Sequence, residues 1–192
     1  MTDRPTSVVI SGVGGQGVIL AARVLAAAAN HSGLEVKASE VHGMAQRGGS
    51  VVAQVRFGSR VYSPLIPSQG ADYLLALEEM EAFRYLGLLK KKGWVLIYPH
   101  RVFPSSVISG QTIYPDHVED ELVREGFRVV NAGRFTELLD CSLRQANIAL
   151  LGILSRKLVF KMSVWRKAIA DSVPSASLKG NWDLFSAFRS KS

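Results

Sequence analysis

Gly12-Val13-Gly14-Gly15-Gln16-Gly17 is the first stretch of this chain whose residue types and spacing suit chemistry. It fits G-x-G-x-x-G, follows a short β-branched run at residues 7–11 and leads into an alanine-rich apolar run ending at residue 29. A strand that turns on glycines into a helix offers unpaired N–H groups and a partial positive charge to a phosphate. On this reading Gly12 permits the tight turn, Gly14 lets a ligand approach bare backbone, and Gly17 lets the helix sit close to the sheet; Gly15 and Gln16 complete the turn. The same glycines also suit a purely structural role in strand–helix packing. The pattern is weak alone and gains weight from its strand–turn–helix context.

The second stretch is Ser39-Glu40-Val41-His42-Gly43-Met44-Ala45-Gln46-Arg47-Gly48-Gly49. Glu40 stands about where a dinucleotide-binding protein carries the acidic residue that holds a ribose. His42 offers a proton donor or acceptor near neutral pH. Arg47 offers a bidentate clamp for phosphate or carboxylate, and Gly43, Gly48 and Gly49 allow backbone to approach a ligand or a partner chain. The alternative is a loop ordered against a partner, with Arg47 paired to an acidic side chain. No motif sets a nucleophile or second acid beside His42, so no catalytic residue is assigned.

Val13-Gly14-Gly15-Gln16-Gly17 together with residues 39–49 and the strand after them resembles the gamma-type domain of 2-oxoacid:ferredoxin oxidoreductases. The Val41-His42-Gly43-Met44-Ala45-Gln46-Arg47-Gly48-Gly49 variant is most similar to the small (beta) subunit of the indolepyruvate type. Asn147 and residues 181–188 fit the family more loosely. The resemblance implies a subunit of a multi-part enzyme that oxidatively decarboxylates a 2-oxoacid such as indolepyruvate, makes an acyl-CoA and reduces ferredoxin. It implies coenzyme A at the glycine turn, and thiamine diphosphate and iron–sulfur clusters in a larger partner subunit. The cofactor-binding set it marks is Gly12, Gly14, Gly15, Gln16, Gly17, Glu40, His42, Gly43, Met44, Arg47 and Gly48, with no metal ligand.

Composition agrees with that division of labour. One cysteine, Cys141, cannot ligate a cluster or close a disulfide within the chain; it reads as a structural thiol. No Gly-Asp-Gly followed by paired asparagines marks a thiamine diphosphate site. The four histidines show no i, i+4 pair for a metal, and the glycine turn lacks a Walker lysine. Glu78, Glu79 and Glu81 read as acidic residues at a helix start, not as a paired-carboxylate site. A net charge of +7 invites nucleic acid, but no recognition motif accompanies it, so attraction to an acidic partner or anionic ligand is the better reading. No apolar run is long enough to span a membrane, and residues 2–5 do not read as a signal peptide, so a cytoplasmic location is expected.

The elements that position these motifs make an α/β chain. Strands are expected at 7–11, 34–39, 51–57, 73–77, 94–98 and 127–130, and helices at 17–29, 80–91, 132–139, 145–158, 164–173 and 182–188, with Asp116 capping another that runs to Glu125. The first two strands and their helix form a parallel βαβ unit; residues 50–63 form a hairpin. The lysines at 90–92 close the 80–91 helix, stopped by Gly93. The expected fold is a three-layer α/β/α Rossmann-like domain with a mixed, mostly parallel sheet and a helical C-terminal part, one domain over residues 1–192. Two further readings stay open: a stand-alone NAD(P)-dependent Rossmann dehydrogenase, which needs a second βαβ half after Glu40, and a nucleotide- or CoA-binding module without enzymatic partners.

Overall fold

The computed structural model describes residues 4–42, 49–136 and 145–191. Six strands form one sheet in the order β2-β3-β1-β4-β5-β6. They are β1 (Thr6–Val13), β2 (Glu35–His42), β3 (Ser50–Gly58), β4 (Ala71–Ala76), β5 (Leu89–Ile97) and β6 (Arg128–Asn131). β1, β4, β5 and β6 are parallel neighbours, while β3 runs antiparallel to both β1 and β2. The sheet is therefore mixed and mostly parallel, as expected.

Its centre reads as a continuous apolar run because both faces are covered. Val8, Val9 and Ile10 of β1 are all fully buried. On one face lie α1 (Val18–His31), α6 (Ala146–Leu154), α7 (Met162–Ser172) and α8 (Ser175–Lys191). Their core joins Leu25, Leu150, Trp165, Phe185 and Phe188. Every residue of α6 is buried, so its all-round apolar sequence belongs to this chain's own core. Gly152 lets α8 approach: a Cβ there would lie 2.6 Å from the Phe185 carbonyl oxygen. The other face carries a smaller core under α2 (Glu79–Tyr85) and α4 (Val118–Arg124). Two one-turn helices, α3 (Ser105–Ile108) and α5 (Gly133–Thr136), complete the described elements.

Five expectations are corrected. β1 and β2 point the same way but are not neighbours, because β3 lies between them. The hairpin partner of β3 is β2, paired from Glu35↔Gly58 to His42↔Val51, and residues 61–63 form no strand. The helix expected to Lys91 ends at Tyr85, followed by a 3-10 turn at Leu86–Leu88; the lysines 90–92 belong to β5. His117, not Asp116, starts α4, in the left-handed conformation and without a side-chain cap. Lysine runs favour helix C-termini through the macrodipole, but here Leu89 and Trp94, on either side of the lysines, pair with β4 and carry them into the bulged strand. The last helix is longer than residues 182–188, and Cys141 falls outside the described residues.

Candidate functional site

β1, β4, β5 and β6 all deliver their carboxyl ends to one edge of the sheet. The chain leaves β1 for α1 on one face and leaves β4 for α2 on the other, a topological switch point where open α/β sheets bind ligands. The glycine turn lies at this edge. Leu77 N–H, just beyond β4, donates to the Ser11 carbonyl at 2.8 Å and ties the two exits together.

The glycines divide their work differently from the expectation. Gly12 is still in β1, where a Cβ would lie 2.7 Å from Gln16 Oε1 and 3.0 Å from Leu77 Cβ: its role is packing. Gln16 folds back so that Oε1 accepts the Val13 N–H at 2.7 Å, while its own N–H donates to the Val13 carbonyl at 3.1 Å. Gly15 is exposed at φ +99°, with open space where a Cβ would point. Gly17 is the N-cap of α1 in the left-handed region, φ 81° and ψ 29°. There a Cβ would also overlap the Asn147 amide. Asn147 donates from Nδ2 to the Gly17 carbonyl at 3.1 Å and accepts the Ile148 N–H at 2.8 Å, so α6 pins the turn from behind. With no side chain capping it, the start of α1 keeps its dipole end open to an anion.

Gly14 N–H donates to the Gly49 carbonyl at 2.9 Å. This bond joins the glycine turn to the returning end of the second motif. His42 pairs with Val51, which pairs with Gly12, so His42 stands two strands from the turn, about 10 Å across the ladder. Glu40 is exposed on the outer strand β2, level with Ala53 and Ile10, below the turn and separated from β1 by β3. It does not occupy the ribose position of a dinucleotide site, and β3 replaces the second mononucleotide half. Gly43, Met44, Arg47 and Gly48 lie outside the described residues, as does the side chain of His42.

Sequence reading missed a buried carboxylate pair beside the turn. A cleft of about 440 Å³ at the same edge is lined by Val13, Gly49, Ser50, Glu78, Glu81, Arg84 and the 102–105 segment. Glu78 and Glu81 are 1% and 4% exposed. Glu78 caps α2 by accepting the Glu81 N–H at 3.0 Å; it also accepts the Val102 N–H at 3.0 Å and the Tyr114 hydroxyl. Burial, and then the bond to Glu78, raise the Tyr114 pKa above its ordinary value, so the phenol stays protonated. Glu81 accepts from Ser50 Oγ and from Arg84 Nε at 2.9 Å, and Tyr85 OH lies 3.0 Å from Ser50 Oγ. The bond to Glu81 raises the Arg84 pKa, with burial opposing it. Buried charge persists only when paired and hydrogen-bonded, and each carboxylate here has its donors. The network fixes the start of β3, the 102–114 segment and α2 around the cleft. An acidic pair at a helix start carried no local sign of this burial.

Among the described residues no group of three His, Cys, Asp or Glu side chains could hold a metal ion, and no helix is long and apolar enough to cross a membrane.

Comparison with known proteins assigns the lineage. The model of the pyruvate ferredoxin/flavodoxin oxidoreductase family matches residues 7–190. The chain is 38% identical over 189 residues to indolepyruvate oxidoreductase subunit IorB of Thermococcus kodakarensis, covering 93% of this chain and 92% of the relative. The Archaeoglobus fulgidus IorB is 42% identical over 152 residues, 77% of this chain and 75% of its own. The keto/oxoacid ferredoxin oxidoreductase gamma subunit of Geobacter sulfurreducens superposes with a TM-score of 0.69 at 23% identity, covering 97% of both chains. A 2-oxoglutarate:ferredoxin oxidoreductase from Magnetococcus marinus, with 2-oxoglutarate, coenzyme A and succinyl-CoA bound, gives a TM-score of 0.74 at 20% identity, with 98% of this chain matching 31% of that one. The chain belongs to the pyruvate ferredoxin/flavodoxin oxidoreductase family, as a small subunit of the 2-oxoacid ferredoxin oxidoreductase type.

Proposed function

We propose that this chain is the small subunit of an indolepyruvate-type enzyme, working with a larger subunit that holds thiamine diphosphate and iron–sulfur clusters. The assembly decarboxylates an arylpyruvate oxidatively, transfers the acyl group to coenzyme A and passes the electrons to ferredoxin. The observation that carries this reading is the 37–42% identity to archaeal indolepyruvate oxidoreductase subunits. The whole of residues 1–192 is read as one gamma-type domain, located in the cytoplasm.

Within the assembly, the carboxyl edge of the sheet is the part of this chain that meets coenzyme A. The bare, exposed surface of Gly14, whose N–H is held by Gly49, lets a phosphate come close, and exposed Gly15 with the uncapped start of α1 suits its charge. The adjacent cleft, with Val102, Phe103 and Pro104 on one wall and Ser50 on another, suits the thinner arm. The relative with coenzyme A bound supports this choice of ligand. The second motif, which carries Glu40, His42, Gly43, Met44, Arg47 and Gly48, is read as serving the ligand jointly with the larger subunit. Exposed Glu40 and Val41 on the outermost strand leave that edge open to a partner. This chain holds, orients and shields; thiamine diphosphate supplies the carbanion chemistry from the other polypeptide.

The test is steady-state kinetics of the assembled enzyme carrying Gly14→Val. A KM for coenzyme A raised about tenfold, with the KM for indolepyruvate unchanged, is the expected outcome. An unchanged KM for coenzyme A in a fully assembled variant would favour a turn that only packs.

A further inference from the structure

At the amino edge of the sheet, opposite the glycine turn, lies a second cleft of about 480 Å³. Four cations reach it from three segments: Arg4 just before β1, Lys90 and Lys92 from β5, and Arg128 at the start of β6. Its one carboxylate, Asp72, is already engaged, by Lys90, by the Ser7 N–H at 2.9 Å and more distantly by Arg4 at 3.8 Å. Among the described residues neither Lys92 nor Arg128 has an acidic partner. Lys157 adds a fifth cation beside the cleft, its Nζ 3.7 Å from the Trp94 ring centre, while the Arg128 guanidinium lies 5.4 Å from the same ring. Burial, then Arg156 and Arg128, lower the Lys157 pKa, as expected where like charges crowd.

The backbone is distorted at this place. Pairing of β4 with β5 jumps from Ala71↔Leu89 to Tyr73↔Trp94, and within the extra residues Lys92 takes φ 59°. A lysine in the left-handed region is strained, and bulges commonly re-aim a side chain at a functional edge. Here the bulge delivers Lys92 to the cleft wall.

We propose that this cleft is a second anion site, distinct from the glycine turn, that takes a small, multiply phosphorylated ligand. Its concavity and volume fit a small molecule better than the flat surface an acidic protein would cover. Because cations lie against the Trp94 ring, recognition rests on charge and hydrogen bonds, not on stacking of a base.

The test is isothermal titration of the full chain with inorganic triphosphate and with ATP. Saturable triphosphate binding is expected, weakened at least tenfold by Lys92→Gly and by Arg128→Gln, and retained by Gly14→Val. ATP binding no tighter than triphosphate is expected, with the phosphates as the whole determinant; markedly tighter ATP binding would overturn the claim that no base is recognised. Since glycine accepts φ 59°, Lys92→Gly should keep its thermal midpoint or raise it by about 2 °C, separating lost binding from lost folding. Absence of saturable binding overturns the proposal, as does binding that both variants leave intact. Capture of a hexaglutamate peptide through Lys92 and Arg128, with no phosphate probe bound, overturns it in favour of an acidic protein partner.

Discussion

The two faces of the sheet are built on different principles. The face under α1, α6, α7 and α8 is a core made mainly of aromatic and aliphatic side chains, with Trp165, Phe185 and Phe188 fully buried and the Trp165 and Phe185 ring centres 5.2 Å apart. The face under α2 and α4 has a smaller apolar core, and at the carboxyl edge apolar packing gives way to the carboxylates Glu78 and Glu81 with their donors. Apolar burial holds the first face without directional demands, each large side chain contributing about 1.5–3 kcal/mol. The second depends on matched donors and acceptors, which place a cleft wall accurately but tolerate no missing partner. The short helices of the second face leave room for the cleft beside the glycine turn.

That contrast orders the expected effects of substitution. Trp165→Ala on the apolar face should cost about 3–5 kcal/mol through loss of buried area and the cavity left behind, read by chemical denaturation. A cost below about 1 kcal/mol would mean that this core is loosely packed. Tyr114→Phe on the polar face should cost about 1–3 kcal/mol. It leaves Glu78 short of one donor and the Met80 N–H, which donates to the Tyr114 hydroxyl at 3.2 Å, without its acceptor. Faster hydrogen exchange in residues 100–114 and α2, with α6 and α8 unaffected, would localise the loss to that face. The raised Tyr114 pKa fixes the sign with pH: this contribution is complete below the ordinary tyrosine value of 10.0 and is lost only as pH rises beyond it. Arg101→Ala should be smallest, under about 1 kcal/mol, because Arg101 bridges Glu79 and Asp116 in the open, 40% exposed.

The strands were legible in the sequence because apolar runs such as residues 8–10 and 95–97 bury on both sides. The glycine turn was legible as a turn, and the family through its two motifs. What could not be read was set by pairing and burial across the chain. Nothing local shows that β3 slots between β1 and β2, or that lysines 90–92 extend a bulged strand instead of ending a helix. Gly12 looked like the turn residue, yet Gln16 and Leu77 define its role by crowding it. Glu78 and Glu81 looked like helix-start acids; their partners Tyr114 and Ser50 come from 36 and 31 residues away. Asn147 shows the same: 130 residues from Gly17, it is the side chain that fixes the start of α1.

The division of chemistry between two polypeptides is most directly tested by ferredoxin reduction dependent on indolepyruvate and coenzyme A, measured with this chain alone, with the larger subunit alone and with both. Turnover only in the reconstituted pair is predicted, with no iron–sulfur absorbance in this chain by itself. Ferredoxin reduction by the lone chain, or by the larger subunit at the full rate without it, would contradict the account.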